Sequence, residues 1–157
     1  MLLSDIVFQE TKEIPPIDLQ ALFRCEQWND FFDLDEVALH VETALHLVSA
    51  WHTNQLVGYA RLAGNRLEVE ITDVLVKSEY QERGIGTELV RRLVTKIQAV
   101  NPYHIQVTPI GDREVHLYGK FGFTEIPSYR CMELHSEKLR RKIAAVRGHK
   151  NARDGGE

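Results

Sequence analysis

The passage from Val74 to Ile97 constrains this chain more than any other. A short apolar run, Val74-Leu75-Val76, gives way to a polar loop, and two glycines, Gly84 and Gly86, stand immediately before a helical pattern. In that pattern Leu89, Leu93 and Ile97 recur at i, i+4 and i+8, with Val90 and Val94 beside them, which predicts an amphipathic helix ended by Asn101-Pro102. A strand, a glycine-bearing turn and a helix in that order make an anion-binding start. The first turn of a helix leaves N–H groups unpaired and carries partial positive charge, and glycine lets the backbone approach a ligand closely.

The rest of the chain builds around this unit. Ile6-Val7-Phe8 predicts a first strand, and Pro15-Pro16 opens a helix running to about Gln27. Asp33 or Asp35 caps a second helix carrying Val37, Leu39 and Val41. Residues 45–51, 56–62 and 67–76 read as three strands separated by the turns His52–Gln55 and Ala63–Arg66, an antiparallel meander. After the glycine helix come a strand over 103–108, a helix over 113–121 and a final strand pair around Phe123–Glu125 and Tyr129–Leu134. The order implies an α+β domain with a mixed sheet, antiparallel at first and parallel across the glycine helix.

Composition narrows the class. With 157 residues, 43% hydrophobic and 27% charged, the chain suits a single domain over 1–135. Residues 136–157 hold seven Lys or Arg against three acids, a net of +4, and read as a basic helix with a frayed end. The remainder therefore carries −8, which with the tail's +4 makes the net charge of −4 and disfavours a general nucleic-acid surface. Cys25 and Cys131 lie far apart with no CxxC, so reduced thiols and a cytoplasmic setting are the simplest reading. No signal-peptide pattern occupies residues 1–10, and no apolar run reaches membrane-spanning length. The seven histidines show no HxxxH spacing, and no metal is expected.

Three anion sites compete for the glycine turn. A P-loop needs Gly-Lys-Ser/Thr, which is absent. The dinucleotide fingerprint needs a third glycine where Leu89 stands, and a βαβ unit where the meander stands. The third is a CoA pyrophosphate loop. Gln81-Glu82-Arg83-Gly84-Ile85-Gly86 resembles the Gln/Arg-x-x-Gly-x-Gly/Ala motif of the GNAT acyltransferase superfamily. Ile71 to Tyr80 is similar to that family's preceding strand and loop, and Leu117-Tyr118-Gly119-Lys120-Phe121-Gly122-Phe123 to its later Tyr-x-Lys-x-Gly-Phe segment.

The resemblance covers roughly 40–130, is loose over 1–40, and implies a mostly antiparallel sheet of six or seven strands flanked by helices. It implies direct transfer of acetyl from acetyl-CoA to a primary amine of a small molecule. A non-catalytic acyl-CoA-binding module and a protein lysine or N-terminal acetyltransferase remain the other classes, and a homodimer is compatible with the family. It places backbone groups of Val74, Leu75 and Val76 along the pantetheine arm, with an amide near Leu75 as oxyanion donor. The backbone of Gln81, Glu82, Arg83, Gly84, Ile85, Gly86 and Thr87 would hold the pyrophosphate. Tyr118 would contact CoA and donate a proton to the leaving thiolate. Asp112 departs from the Asn or small polar residue that many relatives use at a second CoA contact. Glu70 and Asp73 are the two carboxylates that the resemblance offers as general base. Strict alternation puts them on opposite sheet faces, unless a bulge intervenes.

Overall fold

The computed structural model describes residues 2–28, 31–127, 136 and 141. The chain divides into two compact units, Met1–Glu125 and Ile126–Glu157, and every regular element named below lies in the first. The expected strand Tyr129–Leu134, Cys131 and nearly all of the expected basic tail fall outside the described residues.

Five strands form one sheet in sequence order: β1 (Ile6–Gln9), β2 (His46–His52), β3 (Gln55–Gly64), β4 (Glu68–Val76) and β5 (His104–Val107). The first three pairings are antiparallel, and β4 pairs with β5 in parallel. The parallel step needs a crossover, which α3 (Ile85–Val100) supplies. Helix α3 lays Ile85, Leu89, Val90, Leu93 and Ile97 against Val48, Val57, Ala60, Leu62, Val69 and Ile71 on one sheet face. Helices α1 (Pro16–Cys25) and α2 (Leu34–Glu42) cover the other, burying Leu19, Leu22, Phe23, Val37 and Val41 against Leu47, Leu56, Tyr59 and Leu75. Pro16 begins α1 where a missing amide costs nothing. Of the two expected caps for α2, Asp33 is used: its carboxylate accepts from the Glu36 amide at 2.9 Å while Glu36 accepts from the Asp33 amide at 3.0 Å.

One glycine sets the distance between α3 and the sheet. A Cβ on Gly58 would lie 3.2 Å from Ala50 Cβ, Ile85 Cγ2 and Leu89 Cδ1, and all three neighbours are buried. Gly58→Val is expected to cost about 1–3 kcal/mol, since the crowding comes from both layers at once; urea denaturation checks this, and an unchanged midpoint would refute it.

Phe123–Glu125, expected as a strand, is not one among the described residues. A strand exists only by pairing, and the backbone here is used otherwise. After α4 (Asp112–Gly119) the chain turns through Gly122 at φ 88°, the Phe123 amide reaches back to the Tyr118 carbonyl at 3.4 Å, and the Phe123 ring stacks edge-on with Tyr118 at 5.9 Å.

Candidate active site

Strand β4 changes character in its middle. Over Val69–Ile71 it is paired on both sides, with β3 and with β5. From Thr72 onward β3 alone is paired with it among the described residues, so one edge opens. At this point Tyr59 faces Leu75 and Arg61 faces Thr72, leaving Asp73 and Val74 together opposite Ala60. That is a β-bulge, and Asp73 sits in it with φ 54°, a left-handed conformation that Asp tolerates better than most residues.

The bulge decides the faces. Val69 and Ile71 point to the α3 layer before it, and Val74 and Val76 point there after it. Glu70, between Val69 and Ile71, is thereby turned to the α1/α2 face, as is Leu75. Asp73 joins them: its carboxylate accepts the Trp28 indole N–H at 2.9 Å and the Arg61 Nε–H at 3.0 Å, and His40 Nε2 lies 3.5 Å away. The bulge lies between Glu70 and Asp73, so the two carboxylates share a face. Glu70 accepts the Thr108 hydroxyl at 3.3 Å and is half-buried, whereas Asp73 is buried.

Backbone alternation sorts the open edge. The Lys77 amide donates to the Val57 carbonyl at 2.9 Å, so Leu75 also directs its backbone groups to β3. Those of Val74 and Val76 then face the open edge, and the Val76 carbonyl there accepts the Gln81 side-chain amide at 2.9 Å. The edge thus presents backbone groups of Val74 and Val76 outward, and not those of Leu75.

Beyond β4, the loop reaches α3 through two left-handed residues, Glu82 at φ 61° and Gly84 at φ 84°. The first helical bond runs from the Glu88 amide to the Gly84 carbonyl at 3.0 Å, which leaves the amides of Ile85, Gly86 and Thr87 without helical partners. Ile85 buries its side chain in the core and offers only its backbone. Glu82 and Arg83 are exposed, and the Arg83 guanidinium lies 5.8 Å from the centre of the Tyr80 ring. A Cβ on Gly86 would meet nothing closer than Val76 Cγ2 at 3.7 Å, so the fold itself leaves room beside this glycine.

Helix α4 closes the cleft from the other side. An inner cavity of about 140 Å³ is lined by Val74, Val76, Gln81, Gly86, Leu117 and Tyr118. An outer one of about 390 Å³ is lined by Gly84, Thr87, Arg113, Glu114, His116 and Lys120. Arg113 donates to the Gln81 side chain at 3.2 Å. Arg113 and Lys120 add positive charge near the unpaired amides. Lys120 is the lysine of the Tyr-x-Lys-x-Gly-Phe resemblance, whereas nothing in its own segment marks Arg113; the docking of α4 brings both to the loop. Asp112 begins α4 and is exposed. Tyr118 is buried, and its hydroxyl is pushed up to about 12, first by burial and then by the negative charges of Glu114 and Asp73. It stays protonated across any ordinary working pH.

On the α1/α2 face, burial and then Arg61 push His40 down to about 4 from its ordinary value near 6.5, against an upward pull from Asp73. Among the described residues His40 Nε2 has no hydrogen-bond partner despite its nearness to Asp73, and the buried Tyr59 hydroxyl has none either. The unfolded chain takes up a proton on this histidine near pH 6.5, the folded one only near pH 4. The stability due to neutral His40 is therefore complete above pH 6.5 and is lost as pH falls towards 4, by about 1–3 kcal/mol. Urea denaturation at pH 7 and pH 4.5 should show this loss in the wild type and a smaller one in His40→Leu; equal losses would refute it.

Among the described residues, no three or more His, Cys, Asp or Glu come together to hold a metal, and no helix is long and apolar enough to cross a membrane.

The open strand edge, the glycine helix start and the tyrosine of α4 define an acyl-transfer fold. Residues 7–123 match the family model described as Acetyltransferase (GNAT) family, and the chain belongs to that family. A probable acetyltransferase from meticillin-resistant Staphylococcus aureus is similar in fold, with TM-score 0.72 at 21% identity over 83% of this chain and 99% of that one. An aminoglycoside acetyltransferase from an uncultured soil metagenomic sample, in complex with trehalose, gives TM-score 0.69 at 16% identity over 87% and 100% of the two chains. AAC(6')-Iy in complex with the bisubstrate analogue CoA-S-monomethyl-acetylneamine gives 0.65 at 13% over 84% and 98%. No curated protein matches the chain by sequence.

Proposed function

We propose that this protein transfers the acetyl group of acetyl-CoA directly to a primary amine of a small molecule. The observation that carries this reading is the continuity of one surface. The open edge at Val74 and Val76 leads into the unpaired amides of residues 85–87, and Tyr118 stands at its inner end. An extended pantetheine arm fits the edge as an added strand would, and a pyrophosphate fits the helix start. The space beside Gly86, which the fold does not itself fill, suits the approach of that group. The complex of AAC(6')-Iy with a CoA conjugate supports the same donor.

The chemistry divides among the residues of this cleft. A primary amine with an ordinary pKa is roughly one part in a thousand neutral at pH 7, a cost of about 4 kcal/mol that a base reduces. The Asp73 carboxylate is engaged by Trp28 and Arg61, so Glu70 is the better base. It stands three residues, or about 10 Å of strand, from Asp73, and acts through water. A backbone amide of Val74 or Val76 stabilises the developing oxyanion. The protonated Tyr118 hydroxyl donates to the leaving thiolate, and the acceptor's proton leaves by way of Glu70.

The test is release of free thiol from acetyl-CoA with a panel of primary amines, alongside melting with and without acetyl-CoA. Turnover and a raised melting temperature are expected. Stabilisation without turnover for any amine would replace the enzyme reading with a binding module, and no stabilisation would sink the donor assignment itself. Glu70→Gln is expected to lower kcat at least about tenfold at pH 7, with the loss shrinking as pH rises towards the amine pKa; a loss that does not depend on pH would remove Glu70 as base.

A further inference from the structure

The α1/α2 face holds a polar junction that an acetyl donor does not account for. Trp28 follows the end of α1 and is half-buried, and the residue before it, Gln27, is left-handed at φ 54°. Its backbone amide reaches the Phe23 carbonyl at 2.8 Å, and its indole N–H reaches Asp73 across 45 residues of sequence. Asp73 is left-handed as well. Gln27 is the left-handed residue that closes α1, its own amide reaching the Arg24 carbonyl at 3.3 Å, so the helix end fixes where Trp28 stands. The strained residue is Asp73 in the bulge, and Arg61 of β3 pins the same carboxylate. Such strain persists only where the surroundings hold it, and it concentrates at working sites.

The position gives the junction its meaning. Val74, the next residue, offers its backbone to the open edge in the inner cavity, where Tyr118 stands. The Asp73 side chain passes through to the opposite face and ends on Trp28. The indole thereby lies on the α1/α2 face of β4, beside the residue at which the edge opens.

We propose that Asp73 is a positioning residue and that Trp28, which it holds, is a specificity-determining wall for the acceptor amine. Phe32 and Trp28 both pack partly buried against the α1/α2 cluster, so the wall is apolar and aromatic beside a carboxylate paired with Arg61. It suits amines with a flat apolar body better than polyhydroxylated ones. The proposal rests on the acetyl-transfer reading above, and its test includes an arm that does not.

The kinetic arm measures KM for each substrate and kcat with 2-phenylethylamine, 1,4-diaminobutane and kanamycin. The wild type should favour 2-phenylethylamine in kcat/KM. Trp28→Leu should raise its KM at least about tenfold and erase the preference, with KM for acetyl-CoA changed less than about twofold. Trp28→Phe keeps a ring and loses only the N–H, so it should fall between. Asp73→Asn should resemble Trp28→Phe, with kcat lowered less than tenfold. A hundredfold fall in kcat at unchanged acceptor KM would make Asp73 the base and overturn the proposal, as would a Trp28→Leu enzyme that keeps its preference.

The second arm uses Trp51→Phe, which leaves Trp28 as the single tryptophan. Titration with 2-phenylethylamine should quench its fluorescence saturably, and Asp73→Asn in that background should shift the emission. Quenching without turnover would sink the proposed function and keep the wall; absence of quenching would sink the wall whatever the turnover.

Discussion

Gly86→Glu should leave the protein folded and unable to bind acetyl-CoA. The fold tolerates the change on two grounds. The nearest atom to a new Cβ is 3.7 Å away, and an acidic side chain in the first turn of α3 is favourable to the helix. The same carboxylate projects into the space proposed for the pyrophosphate. Two like charges about 4 Å apart at a partly exposed site repel by on the order of 4 kcal/mol, or about a thousandfold in affinity, before any steric exclusion is added. Calorimetric titration should find no binding at concentrations that saturate the wild type, while the unliganded melting temperature stays within a few degrees. Retained binding would show that the anion lies elsewhere than at this helix start.

Removal of one hydroxyl should have the second large effect, on rate and not on affinity. Tyr118→Phe keeps the ring in the apolar cluster that includes Leu89 and the neighbouring Phe123, so packing survives. It deletes the donor proposed for the leaving thiolate. Without a proton source, a thiol of ordinary pKa about 8.5 leaves as a bare anion, and kcat should drop by about a hundredfold. The affinity for acetyl-CoA should change less than about threefold. Because the hydroxyl is held at about 12, no alkaline fall in activity below pH 10 should come from Tyr118, and the wild-type and Tyr118→Phe profiles should have the same shape up to that pH. Equal activity of the two proteins would reduce Tyr118 to a packing role.

Much of this frame was legible in the chain because it is written locally. The apolar spacing of Leu89, Leu93 and Ile97 needs no partner to be read, and neither do the alternating strands of the meander or the glycines before α3. What could not be read depends on meetings between distant segments. Trp28, His40 and Arg61 belong to a post-helical turn, a helix and a strand, and only the folded chain brings them to Asp73. Arg113 and Lys120 reach the loop only because α4 docks there. Phe123–Glu125 had strand-like residues, yet its first backbone amide is spent on the end of α4. The faces of Glu70 and Asp73 were the closest case. Alternation alone separated them, and the left-handed backbone of one aspartate reversed the answer.

That one inserted residue in β4 also governs how the acceptor side can be redesigned. Position number along the strand is a poor guide to what a mutation reaches, since odd positions look towards α3 before residue 73 and even positions look there after it. A library aimed at new amines should vary 72 with Trp28 and leave 69, 71, 74 and 76 alone, because those four hold the α3 layer, as well as Leu75, which belongs to the α1/α2 core, and Glu70, the proposed base. At 73 itself the backbone restricts the alphabet to residues at ease with positive φ, chiefly Asn and Gly, so diversity spent there would mostly be lost to misfolded clones.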